Sequence, residues 1–267
     1  MEIRKITIMG GQGKNGAKEP VAGINLEMGD IVSIVGPTGC GKTTLINDIE
    51  LFANLNTPSK RKVLINGDTP PDEWIFDPSK NPIALISQHT NFLSDLPVKD
   101  FLKIHAQIRQ TKRSESIVEE TVNFANQLTG EPLNLESAMT ELSGGQTRAL
   151  LIADAVIIGN SPIILLDEIE NAGIHRTKAL ELLKNYEKIF IFVTHDPRIA
   201  LLSDFRIIMK NGAMQKKIVT EGEEKEVAEE IKKLDDLFFD FRNRIREGEY
   251  LGEKVLEDKL RALGYLS

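Results

Sequence analysis

The sequence predicts an α/β protein: a mostly parallel sheet covered by helices, with a helical lobe inserted in it and an amphipathic helix in its C-terminal tail. Three observations carry this. Short apolar runs of strand length alternate with helix-like segments. Four of those runs end in polar residues of unusual kind, and between Gln88 and Leu142 the pattern turns helical. At 267 residues, with 41% hydrophobic and 27% charged residues, the chain has enough apolar side chains for a sizeable core and a globular composition.

The four runs are Ile31 to Val35, Ile83 to Ile86, Ile163 to Leu166 and Ile189 to Val193. They lead into a glycine-rich loop, Ser87 with Gln88, Asp167 with Glu168, and Thr194 with His195. In open α/β sheets the ligand crevice lies beyond the carboxyl ends of the strands, so these groups are expected to converge on one site. Val98 to Arg109 and Ser116 to Leu128 carry apolar residues at three- and four-residue intervals, which predicts two helices in a lobe spanning about residues 90–141. Phe205 to Val219 reads as two strands around the hairpin signal Asn211-Gly212. The expected division is a catalytic domain over residues 1–220 and a charged helical tail over 221–267.

A formal net charge of -7 gives no basic footprint, so no nucleic-acid partner is expected. A single cysteine, Cys40, excludes an intramolecular disulfide framework and a cysteine zinc cluster. The first residues, MEIRKITIMG, carry no secretory pattern, and no apolar run is long enough to cross a bilayer. The expectation is a cytoplasmic protein.

The most specific local signal is GPTGCGKTT, which is Gly36, Pro37, Thr38, Gly39, Cys40, Gly41, Lys42, Thr43 and Thr44, after a strand and before the helix-like TLINDIELF. Polyphosphate needs many donors near its oxygens; glycines let backbone N–H groups curl around it, and a helix N-terminus adds a positive dipole. In this phosphate loop Lys42 reaches the outer phosphates and Thr43 ligates magnesium. Asp167 suits the magnesium shell and Glu168 can polarise an attacking water as general base. Two acids after a strand are also what a helix N-cap with a first-turn acid looks like; the neighbouring phosphate loop favours catalysis.

The segment LSGGQ, with Ser143, Gly144, Gly145 and Gln146, resembles the signature of ATP-binding-cassette ATPases and stands where that family puts it, between Gln88 and the acidic pair. The resemblance covers roughly Ile3 to Val219. It implies a P-loop NTPase core, ATP and Mg2+ as cofactors, hydrolysis of ATP, and a homodimer in which the signature of one copy contacts the γ-phosphate held by the other. It further implies that His195, in FVTHD, is the switch histidine, and that Gln88 senses magnesium and the attacking water. Transport through a membrane permease, which would hold the chain at the inner face of the membrane, is the first reading; a soluble ATPase that remodels a protein client is the second. A GTPase would need an Asn-Lys-x-Asp segment, and a chromosome-maintenance ATPase a long coiled coil in place of the insert.

The chain departs from the family in three places. There is no Phe, Tyr or Trp from Met1 to Val35 to stack the base, which leaves the glycine-rich stretch Gly10 to Gly16 as a candidate. Ile169 to His175 replaces the usual dimer-contact loop, and Asp154 stands where arginine is usual. Cys40, inside the loop, either offers a thiol whose adducts fill phosphate space or is a buried small residue standing in for Ser or Ala. In the tail, Val227, Ile231, Leu234, Phe238, Phe241 and Ile245 form a heptad-like stripe between Gly222 and Gly248. It either packs on its own domain or pairs with a twin or another protein.

Overall fold

A computed structural model of the chain describes residues 2–77, 79–87, 89–109, 114–129, 131–168 and 176–266. Gln88 and the segment 169–175 lie outside the described residues. The strands and helices run in the order β1 (Lys5–Met9), β2 (Gly23–Glu27), β3 (Ile31–Val35), α1 (Lys42–Glu50), β4 (Lys62–Ile65), α2 (Asp72–Phe76), β5 (Ile83–Ile86), α3 (Val98–Arg109) and α4 (Ser114–Leu128). There follow α5 (Gly144–Val156), β6 (Ile163–Asp167), α6 (Arg176–Leu183), β7 (Ile189–Val193), α7 (Pro197–Leu202), β8 (Phe205–Lys210), β9 (Ala213–Val219), α8 (Glu223–Arg246) and α9 (Glu253–Ala262). The chain separates into two compact units, Met1–Val219 and Thr220–Ser267.

In the first unit a six-stranded sheet has the order β5-β6-β7-β3-β8-β9, parallel except for the β8–β9 hairpin. Its central strands are buried on both faces, which is why they read as unbroken apolar runs. Ile164, Leu166, Phe190 and Phe192 pack in a core with the helices α3 to α7, whereas Ile163, Leu165, Ile189 and Ile191 pack with α1. That second core is closed by an antiparallel sheet of order β2-β1-β4, which the run pattern did not predict. Its strands alternate strictly, with Ile6, Ile8, Ile24, Leu26, Val63 and Ile65 buried.

The two sheets are tied by a fully buried ionic hub. Arg61 donates to Glu19 at 2.6 and 3.1 Å, to Asp48 of α1 at 2.8 Å, and to the Gly212 carbonyl in the β8–β9 turn at 2.7 Å. Glu19 also accepts from the Gly11 and Met214 backbone, and Asp48 from Ser59. Burial by itself would weaken the guanidinium's hold on its proton, but the two carboxylates outweigh it and raise the pKa.

Lys188, just ahead of β7, is a second buried cation, donating to Asn160 Oδ1 at 2.8 Å and to the Ser161 carbonyl at 3.1 Å. Burial pushes its pKa down to about 8, whereas the unfolded chain titrates near ~10.4. Between those values the unfolded state binds more protons, so this group makes stability rise with pH across that window; below about 8 the cost of burying the charge is present in full. Urea unfolding between pH 7 and 10 tests this: Lys188→Met should remove the rise, and an unchanged slope would place the ammonium in water.

The tail is helical, and the expected single helix is followed by a second, α9. Tyr265 Oη donates to Glu230 at 2.6 Å and Lys259 pairs with Asp240 at 2.9 Å, so α9 and the residues after it are bonded to α8. Of the six stripe residues on α8, Val227, Leu234, Phe238 and Ile245 are exposed.

Candidate active site

β3 leaves the sheet at Val35 and the chain turns at once into the phosphate loop. At Gly36 a Cβ would lie 2.4 Å from the Met209 carbonyl oxygen and 2.7 Å from Cys40 Sγ, so only glycine fits. Gly41 has φ +102°, and a Cβ there would sit 2.8 Å from Gly212 Cα. The loop is thus pressed against the β8–β9 turn, whose Gly212 N–H donates to the Cys40 carbonyl at 2.7 Å. Gly41 is the N-cap of α1 and gives it no side-chain acceptor, which leaves the first-turn N–H groups without a side-chain cap. Lys42 Nζ lies over the loop, donating to the carbonyls of Gly36 at 2.9 Å and Pro37 at 3.3 Å, while Thr43 and Thr44 are exposed. An uncapped helix start, a lysine beside it and two exposed hydroxyls fit a triphosphate with its divalent cation.

The structure agrees with the second reading of Cys40, a small buried residue. Its thiol is 4% exposed and packs in the core with α1. It also shows what lies beside the loop in place of an aromatic platform. The backbone N–H of Lys14 donates to the Asn211 carbonyl, and Lys14 Nζ donates to the Gly39 carbonyl at 2.7 Å. This residue carries no motif; the sequence signal was the glycine density around it, which permits close backbone approach.

The catalytic candidates Asp167, Glu168 and His195 meet on neighbouring strands. Asp167 ends β6 in register with Val193 of β7, and the Glu168 N–H continues the ladder to the Val193 carbonyl at 3.0 Å. Glu168 Oε1 lies 3.4 Å from His195 Nε2. Thr194, fully buried, donates its N–H to the Ile34 carbonyl at 3.2 Å and so fastens the end of β7 to β3. Glu168 has φ +49°, a left-handed backbone that costs a non-glycine residue about 1–3 kcal/mol. Beside this group a cleft of about 480 Å³ is lined by Gly36, Pro37, Thr194, His195 and Arg206, among others.

The signature lies at the start of α5. Ser143 caps α5 in a reciprocal box, accepting from Gln146 N at 3.3 Å and donating its own N–H to Gln146 Oε1 at 3.0 Å. Gln146 Nε2 donates to the Pro132 carbonyl at 3.1 Å, and Ser143 and Gly144 are exposed. Asp154, further along α5, pins α3 of the lobe to α5, with its Oδ1 2.7 Å from His105 Nδ1.

A family model described as ABC transporter matches residues 22–171, more than half of the chain. The chain belongs to the ABC transporter family. An ABC transporter ATP-binding protein of Methanocaldococcus jannaschii is 51% identical over 251 residues, 94% of this cassette and 96% of that protein. The spermidine/putrescine import ATP-binding protein PotA of Legionella pneumophila is 32% identical over 195 residues, and the matched region spans about half of its length (51%). A solved dimeric ATP-binding cassette in a post-hydrolysis state with ADP and Pi has a TM-score of 0.61 at 24% identity, covering 81% of this chain and 99% of that one. CbiO1 of Clostridium perfringens, part of the transporter complex cbiONQ, has a TM-score of 0.60 at 22% identity, covering 92% and 100%. Such likeness supports the fold of the cassette.

Proposed function

We propose that this cassette is the motor subunit of a membrane transporter, hydrolysing Mg-ATP held between the phosphate loop of one copy and the signature of a second. The observation that carries the reading is the meeting of Glu168 and His195 beside the phosphate loop, while Ser143 keeps its hydrogen bonds within its own turn. Completing the site with a second copy accounts for an exposed signature. When bound, magnesium draws the phosphate oxygens together and offsets their charge.

In this reading the N–H groups of residues 38–44 and Lys42 bind the phosphates, while Thr43, Asp167 and Gln88 hold the cation. Glu168 accepts a proton from the attacking water. His195 orients Glu168 and contacts the γ-phosphate, and Ser143, Gly144, Gly145 and Gln146 supply donors from the second copy. The partner is a permease, and it docks the cytoplasmic cassette at the inner face of the membrane. Leu93, 98% exposed, and Ile104 and Ile108, one turn apart on α3, support a docking face on the lobe. Among the described residues no helix is long and apolar enough to cross a membrane, and the relatives named for transport favour this reading over remodelling of a soluble client.

The trans site is tested by mixing two inactive chains, Lys42→Ala and Ser143→Arg. Each homodimer has two damaged sites, but a mixed dimer has one site with both halves intact. Steady-state ATPase should therefore reappear on mixing, and its absence at concentrations that form mixed dimers would sink the model.

A further inference from the structure

The apolar stripe of α8 carries a symmetry that the ATPase reading does not use. Leu234 and Phe238 lie two positions on either side of Asp236, Ile231 and Phe241 five, and Val227 and Ile245 nine. The spacing alternates four and three, the rhythm of a two-stranded seam. Reversed end for end, the stripe falls on itself, as any stripe of this rhythm does, so an antiparallel twin aligns Val227 with Ile245, Ile231 with Phe241 and Leu234 with Phe238, each pairing occurring twice in six layers. Charge agrees with that direction. The first turn of α8 carries Glu223, Glu224 and Glu226 and the last turn Arg244 and Arg246, so antiparallel pairing sets acid against base, whereas parallel pairing stacks like charges. The bonds from Lys259 and Tyr265 reach α8 at Asp240 and Glu230, neither of them on the stripe, and four of the six stripe side chains are exposed.

We infer that α8 pairs antiparallel with α8 of a second copy of this chain, forming a nucleotide-independent dimer contact about a two-fold axis at Asp236. The charge pattern points to a second copy as the occupant: a helix acidic in its first turn and basic in its last is complemented by the same helix reversed. The seam runs about 27 Å and is smaller than the ~800 Å² per partner of a standard interface, so the contact by itself is weak and reversible. Its consequence, which rests on the trans site proposed above although the pairing does not, is a tether. Two cassettes joined at α8 stay at high effective concentration after ATP is hydrolysed and the nucleotide interface opens. Both contacts are two-fold, which is the condition for one axis to serve both.

The experiment uses the full chain without nucleotide, so that an ATP-driven dimer does not contribute. Sedimentation velocity over about 1–100 µM should show a monomer–dimer equilibrium. Phe238→Glu and Ile245→Glu, both at exposed positions, should each weaken it about tenfold or more with melting unchanged. Orientation is read by mixing Val227→Cys chains with Ile245→Cys chains under mild oxidation, with the unsubstituted chain and its buried Cys40 as control. A crosslink between the two variants, and none within either alone, is expected. A monomeric wild-type chain throughout the range, a dimer indifferent to both glutamates, or a Val227→Cys chain that crosslinks to itself would each overturn the inference.

Discussion

Glu168→Gln should slow ATP hydrolysis by about 10²–10⁴-fold, the usual contribution of a positioned general base, while ATP binds as before. The amide keeps the size of the carboxylate and can remain beside His195, at the 3.4 Å position Glu168 Oε1 occupies, but it cannot take the proton. The phosphate contacts of the loop and of the opposing Ser143 are untouched, so the variant should accumulate as an ATP-bound dimer. Single-turnover hydrolysis and sedimentation at saturating Mg-ATP check the two halves separately. Turnover within a few-fold of wild type would put the base elsewhere, and a monomeric variant would reject the trans site. The strained backbone adds a third expectation. Since φ at Glu168 is +49°, Glu168→Gly should gain fold stability while losing turnover.

Arg61→Met should lower stability by about 3–5 kcal/mol, because it leaves Glu19 and Asp48 buried and uncompensated. In a domain of this size that is a fall in melting temperature on the order of 10 °C. The loss reaches the active site. Arg61 holds the Gly212 carbonyl, and the Gly212 N–H holds Cys40 inside the phosphate loop, so ATP affinity measured well below the melting temperature should fall as well. Arg61→Lys keeps the charge but cannot span Glu19, Asp48 and Gly212 at once, and should recover only part of either loss. A variant that melts within about 2 °C of wild type would show that the carboxylates find water instead.

What was legible in the sequence follows from how each element is buried. β3, β6 and β7 are covered on both faces and announce themselves as continuous apolar runs; α3 and α4 bury one face against the lobe core and repeat every three to four residues. β1, β2 and β4 carry a true period of two, but over four or five residues with only two buried side chains each, too little signal to separate from turns. α9 lies between Gly252 and Gly264, beyond the stop that ends α8, and buries no residue fully. In the site, residues adjacent along the chain were read directly, whereas Lys14 at Gly39, His105 at Asp154 and the hub around Arg61 join residues 25, 49 and up to 195 positions apart. A pattern read locally has no access to those pairs. The stripe on α8 was visible as a period, but its burial was not, because exposure depends on what covers a face and not on the spacing that makes it.

The position of β3 sets a timetable for the nascent chain. It lies between β7 and β8, pairing Ile31 with Phe190 and Val32 with Phe205, so the strand that carries the phosphate loop emerges about 160 residues before either neighbour exists. At synthesis rates of about 5–20 residues per second that is an interval of roughly 8–30 s, during which the lobe, built from contacts close in sequence, can already fold. ATP therefore has nothing to grip until β7 and β8, which end at Val193 and Lys210 of the 267 residues, have left the ribosome, and a chain that stalls before β7 carries the full phosphate-loop sequence without a nucleotide site.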